Sequence, residues 1–187
     1  MLNDQEKEQC LQIAKDAIAK KLNLKPQTSN LEPHTSYLKQ SYGLFISLYI
    51  NQNLRGCIGY IKPFKPLYES LIELAQLAAF SDERFHPLSA VEFDKIDIEI
   101  SILSPLYEIS DKDDFEIGRD GLFITNPKGK GLLLPQVATK YNWTKETFLK
   151  ETCKKAGLKE SALQDEGTTI YRFEAIIFQS KNDSPPL

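Results

Sequence analysis

Histidine is scarce in this chain: His34 and His86 are the only two among 187 residues. Cysteine is nearly as rare, with Cys10, Cys57 and Cys153. Two histidines cannot build a His-rich metal centre, and neither a C-x-x-C pair nor a zinc-type Cys/His spacing occurs, so no metal is expected. Three is an odd number of thiols, which reads as free cysteines in a reducing, cytoplasmic setting. Long apolar runs are missing as well. None approaches the roughly 18 residues of a membrane helix, so no membrane role is expected. The opening MLNDQEKEQC is acidic and polar, unlike a secretory leader. A positive charge excess is also lacking: 23 basic against 26 acidic residues leave −3, no footprint for nucleic acid.

What is present suits a globular fold. Apolar residues make up 41% and charged residues 26%. A chain of this length buries roughly 70% of the surface its unfolded form exposes, enough to fold without a metal or disulfide staple.

Periodicity predicts a helix over 4–22, with Leu11, Ala14, Ile18 and Leu22 as its stripe and an Asn3–Glu6 capping box. A proline-bearing loop follows over 25–42. GLFISLYI (43–50) reads as a strand, and 54–61 as its hairpin return. A second helix spans 66–80, with a short turn at Ser89–Asp94 boxed by Ser89 and Glu92. KIDIEISILS (95–104) alternates cleanly and predicts an antiparallel strand with one wet face. Shorter strands are expected at 115–117, 121–125 and 131–134, then a helical turn from Pro135 to Tyr141. A helix over 145–156 stops at Gly157. The last strand covers 168–178, with Tyr171, Phe173, Ala175 and Ile177 on its core face, and 181–187 reads as a frayed tail. Strands joined mostly by short turns argue an α+β fold on an antiparallel sheet.

Three stretches can carry chemistry. In LRGCIGY, alternation puts Arg55, Cys57 and Gly59 on one face unless a glycine bulge shifts the register. A guanidinium near a thiol favours the nucleophilic thiolate, and Gly56 and Gly59 admit a close ligand. The bland alternative is a buried, packing cysteine in a bulged strand. In DERFHP, Arg84 can pair with Asp82 or grip an anion, and His86 can be a base for Cys57; a polar surface turn is the simpler reading. In KGLLLPQVA, Gln136 sits where strand becomes helix, and Trp143 beyond it either stacks on a ligand or packs in the core.

Together, LRGCIGY, AAFSDERFHPLSAVEFDKIDIEISILSP and GLLLPQVATKYNWTKETFLKETCKKAGL closely resemble the AMME chromosomal region (AMMECR) domain family, whose bacterial and archaeal members are called AmmeMemoRadiSam system protein A. The resemblance runs from the first helix to the last strand. It implies a single α+β domain over 1–180 in two packed lobes, with an antiparallel sheet flanked by helices and a cleft between the lobes. It implies a Memo-like and a radical-SAM protein as partners in a shared task, and names neither a reaction nor a cofactor. By position, Arg55, Gly56, Cys57, Ile58 and Gly59 match the first motif, Asp82, Arg84 and Phe85 the second, and Leu134, Pro135, Gln136, Trp143 and Gly157 the third. The family usually shows D-P-R-F-P-P in the second block; here Glu83 and His86 replace two prolines, which weakens a Cys57–His86 pair.

Two readings follow. One is an enzyme, with Cys57 as nucleophile, Arg55 lowering its pKa, Arg84 anchoring an anionic substrate and Gly56, Gly59, Asp82, Phe85, Gln136 and Trp143 lining the site. The other is a non-catalytic adaptor that holds a ligand or partner peptide at the same place.

Overall fold

Glu6 and Asn3 exchange the two hydrogen bonds of the expected capping box, each at 2.9 Å, at the start of α1 (Asp4–Lys21) in the computed structural model, which describes residues 2–26 and 35–180. The tail expected at 181–187 and positions 27–34 of the first loop lie outside the described residues. The buried stripe of α1 is Cys10, Ile13, Ala14, Ala17 and Ile18; Leu11 and Leu22 flank it, half-buried.

The chain divides into two compact units: Met1–Ile102 with Ile176–Leu187, and Leu103–Ala175. In the first, α1 packs on α2 (Leu67–Phe80), whose Leu67, Leu71, Leu74, Ala75 and Ala78 are buried. Both helices cover a sheet in which β1 (Gly43–Ile50) lies between β2 (Asn53–Tyr60) and β3 (Asp97–Leu103). Leu44, Ile46 and Leu48 of β1 join Ile98, Ile100 and Ile102 of β3 in one core, as their alternation requires. The turn α3 (Ala90–Phe93) carries the Ser89–Glu92 capping box.

In the second unit β5 (Asp120–Asn126) pairs antiparallel with β6 (Gly129–Leu133) and with β7 (Thr169–Gln179), and β4 (Tyr107–Ile109) pairs with β7. The helices α4 (Pro135–Lys140) and α5 (Lys145–Lys155) supply Ala138, Phe148, Leu149 and Cys153 to a core with Phe115, Leu122, Ile124 and Ile170. The protein is thus α+β, with an antiparallel sheet flanked by helices. Among the described residues no helix is long and apolar enough to cross a membrane.

Three sequence expectations change. No strand forms at 115–117: the Asp120 carboxylate accepts the Glu116 N–H at 2.8 Å, folding the segment into turns around buried Phe115. The strand β4 carries too little alternation to have been seen. The core face of β7 is not a single one, because the strand begins in one unit and ends in the other. Ile170 packs in the second core, and Ile176 and Phe178 pack against the first.

Candidate active site

Among the described residues β2 is an edge strand, with β1 as its one neighbour. Its register pairs Gly59 with Phe45, Cys57 with Ser47 and Gly56 with Leu48, then jumps to Leu54 with Tyr49. Arg55 is the extra residue of that bulge. A Cβ on Gly56 would lie 2.1 Å from the Ala78 carbonyl oxygen, so this position faces α2 and admits only glycine. Cys57 and Gly59 therefore point to the opposite face, beside Ser47 and Phe45. Arg55 departs from the strict alternation that would have aligned it with Cys57.

An edge strand leaves backbone groups without strand partners. At Cys57 the loop after α2 takes them up. The Asp82 carboxylate, 6% exposed, accepts the Cys57 N–H at 2.8 Å, and Arg84 donates to the Cys57 carbonyl at 3.2 Å. Arg84 also grips Asp82 through Nε at 2.9 Å and an Nη2 donor at 2.7 Å. The Arg84 guanidinium holds the Asp82 carboxyl well below the usual carboxylate range, burial opposes that, and the Cys57 N–H adds to it. Asp82 in turn raises the Arg84 pKa, and the Cys57 side chain acts on it in the same direction.

Arg55 turns elsewhere. It forms a two-pronged ion pair with Glu92 at 2.8 and 3.2 Å, and Glu92 also accepts the Ser89 N–H and hydroxyl. Arg55 first, then the Ser89 N–H, bring the Glu92 pKa down to about 2. The sequence expectation that Arg55 serves the thiol meets this geometry: the guanidinium is engaged by α3, and Arg84 is the arginine beside Cys57. The two guanidinium carbons lie 5.9 and 5.5 Å from the centroid of the Phe85 ring, which ties both pairs together.

The Cys57 side chain is half-buried, and the Ser47 hydroxyl donates to its Sγ at 3.3 Å. Cys10 and Cys153 are buried; burial pushes Cys10 up to about 12 and raises Cys153 as well. His86 is exposed and makes no hydrogen bond or ion pair among the described residues. Among the described residues no group of three His, Cys, Asp or Glu side chains is arranged to hold a metal ion.

Arg55, Gly56, Cys57, Gly59, Asp82, Arg84 and Phe85 thus gather in the first unit. Gln136 and Trp143 belong to the second. There Trp143 stacks on Tyr141 at 5.2 Å and packs toward Phe148 as a core aromatic, while Gln136 Oε1 is buried without a hydrogen-bond partner among the described residues. Sequence reasoning missed Ser47 and the part Glu92 plays beyond its capping box. Ser47 carried a signal: it is the one small polar side chain in a strand otherwise built of apolar and aromatic residues.

A family model described as AMMECR1 matches residues 11–178. The chain belongs to the AMMECR1 family. It is 46% identical over 146 residues to a protein of Methanothermobacter thermautotrophicus, covering 75% of this chain and 76% of that one. With a protein of Methanocaldococcus jannaschii it shares 42% over 157 residues, 80% of this chain and 78% of the other. The crystal structure of the uncharacterized protein PH0010 from Pyrococcus horikoshii superposes with a TM-score of 0.88 at 34% identity, covering 99% of this chain and 96% of its own. In this AMMECR1 chain the R-G-C-I-G block is the bulged edge strand and the D-x-R-F block is the loop that clamps it.

Proposed function

We propose that this AMMECR1 chain is a thiol-dependent group-transfer enzyme with Cys57 as nucleophile. One observation carries the reading. Asp82 and Arg84 fix both backbone groups of Cys57, while its sulfur stays half-open with a hydroxyl donor 3.3 Å away. Gly56 is accounted for by its close approach to α2, and Asp82 by its clamp on the Cys57 backbone. In the reaction Sγ forms a bond to an electrophilic carbon of a small molecule or protein side chain, and the leaving group departs with its electron pair. The Arg84 guanidinium and the Ser47 hydroxyl both interact more strongly with a thiolate than with a thiol. The proposed setting is a reducing cytoplasm, with Memo-like and radical-SAM proteins as partners on the family resemblance alone.

Limited iodoacetamide labelling of the folded chain, mapped by mass spectrometry, tests this. Cys57 is expected to react ahead of Cys10 and Cys153. A folded chain in which Cys57 stays unlabelled removes the nucleophile. The adaptor reading draws on a different fact: both arginines are already paired with carboxylates. A Cys57→Ser chain that keeps the family's biological function, while Arg84→Ala loses it, would favour the adaptor.

A further inference from the structure

The amide nitrogen of Cys57 already has its acceptor. In acyl transfer the carbonyl oxygen under attack becomes an oxyanion, and backbone N–H groups beside the nucleophile are its usual stabilisers. Here Asp82 Oδ2 accepts the Cys57 N–H at 2.8 Å, the distance at which such an oxyanion would bind. The carboxylate is buried and pinned. Arg84 holds Oδ1 through its backbone N–H at 3.2 Å and through Nε at 2.9 Å, and holds Oδ2 through Nη2 at 2.7 Å. These donors converge as an anion site would, and the chain's own carboxylate fills it. The Nη2 group also donates to the Cys57 carbonyl at 3.2 Å. The Ser47 hydroxyl donates to Sγ itself at 3.3 Å, which supports the attacking atom and not an oxygen of the substrate.

We propose that the substrate of Cys57 is an alkyl donor and not an acyl donor: a molecule that presents a saturated carbon bearing a leaving group. This rests on the reading of Cys57 as a nucleophile and narrows what it attacks. The step is a single displacement. The thiolate pair forms the S–C bond, the bond from that carbon to the leaving group breaks, and the leaving group departs with its electron pair. No oxygen on the reacting carbon gains charge, so a filled oxyanion site costs this reaction nothing. An acyl donor must instead develop its oxyanion beside the Asp82 carboxylate. The two negative charges repel, and the Cys57 N–H is already bonded. At the bulge Arg55 is held by both oxygens of Glu92 and is equally engaged.

The test sets two reagents of similar size against the full chain: 4-nitrobenzyl bromide, which alkylates, and 4-nitrophenyl acetate, which acylates. Attachment at Cys57 is followed by mass spectrometry. Both reagents draw on the same thiolate, so the ratio of their rates cancels its population. Glutathione in the same buffer supplies the ratio of an ordinary thiol. Cys57 is expected to favour alkylation about tenfold or more beyond that ratio, the least that a like charge within hydrogen-bond reach imposes. Asp82→Ala removes the carboxylate and opens the Cys57 N–H and the Arg84 donors to a substrate oxygen. It is expected to return the ratio to that of glutathione or past it toward acylation. Thermal melting checks its folding, and if it does not fold the native ratio decides. A native ratio equal to that of glutathione, or one that folded Asp82→Ala leaves unchanged, overturns the alkyl assignment and leaves Cys57 a nucleophile. A native chain whose Cys57 takes neither reagent overturns both.

Discussion

Asp82 Oδ2 sits 2.8 Å from the Cys57 backbone nitrogen, a buried carboxylate doing for an edge strand what a neighbouring strand would otherwise do. Removing it strands the Cys57 N–H and leaves Arg84 without its anion. Asp82→Ala is expected to cost about 1–3 kcal/mol in urea unfolding, the range for a buried hydrogen-bond partner left unsatisfied. Asp82→Asn keeps an acceptor and is expected to cost less. Amide hydrogen exchange at Cys57 should quicken in Asp82→Ala. An unchanged urea midpoint for Asp82→Ala would mean the clamp does not hold the strand.

Acid should loosen the same region. Glu92 titrates near 2 in the folded chain against an ordinary 4.5, and Asp82 lies below its ordinary 3.8. Both folded values are depressed, so the unfolded chain binds protons first as pH falls. The stabilisation is complete above about 4.5 and is lost as pH drops through the window toward 2. Glu92→Gln should therefore show a shallower loss of stability across that window. Glu92 is a third exposed, so added salt should shrink the difference between the two chains. Parallel acid-unfolding curves would show that the Arg55–Glu92 pair is energetically silent.

Much of this arrangement was legible from residues alone, for a physical reason. The capping boxes at Asn3 and Ser89 are local, and the alternation of Ile96 to Ile102 is period-two chemistry that any half-buried strand must show. The Arg–Gly–Cys block and the Asp82–Arg84 pair were visible as candidates too. The direction of Arg55 was not, because it depends on a one-residue bulge and on Glu92, 37 positions away. The split faces of β7 were hidden likewise, since one strand serves two cores. Asp82 as a backbone acceptor was invisible because nothing in DERFHP says which edge the loop will meet.

Trp143 packs half-buried against the core of its own unit and is the chain's one tryptophan. Its stacking on Tyr141 and contact with Phe148 make its fluorescence a reporter of that unit. Trp143→Ala is expected to destabilise the protein by roughly 3 kcal/mol, the lower end for large aromatics because the ring is only partly buried. Iodoacetamide labelling of Cys57 in the still-folded variant should match the native chain. Slower labelling at unchanged folding would give Trp143 a part in the site.

Gly56 and Gly157 separate two reasons for glycine. At Gly56 a Cβ would meet the Ala78 carbonyl oxygen at 2.1 Å and its carbon at 3.1 Å, both backbone of α2, which cannot swing aside. Gly56→Ala must push β2 and α2 apart and is expected to cost about 1–3 kcal/mol, as overpacking of a close interface does. At Gly157 nothing lies within 4 Å, but φ is +71°, so Gly157→Ala should cost only the roughly 1 kcal/mol of left-handed backbone strain. Because the clamp on Cys57 is built on the same strand, Gly56→Ala should also alter the rate of Cys57 labelling, and Gly157→Ala should not. Equal urea midpoints for the two variants, with Cys57 labelling unchanged in both, would show that the close approach of β2 to α2 is not what sets the position of the thiol.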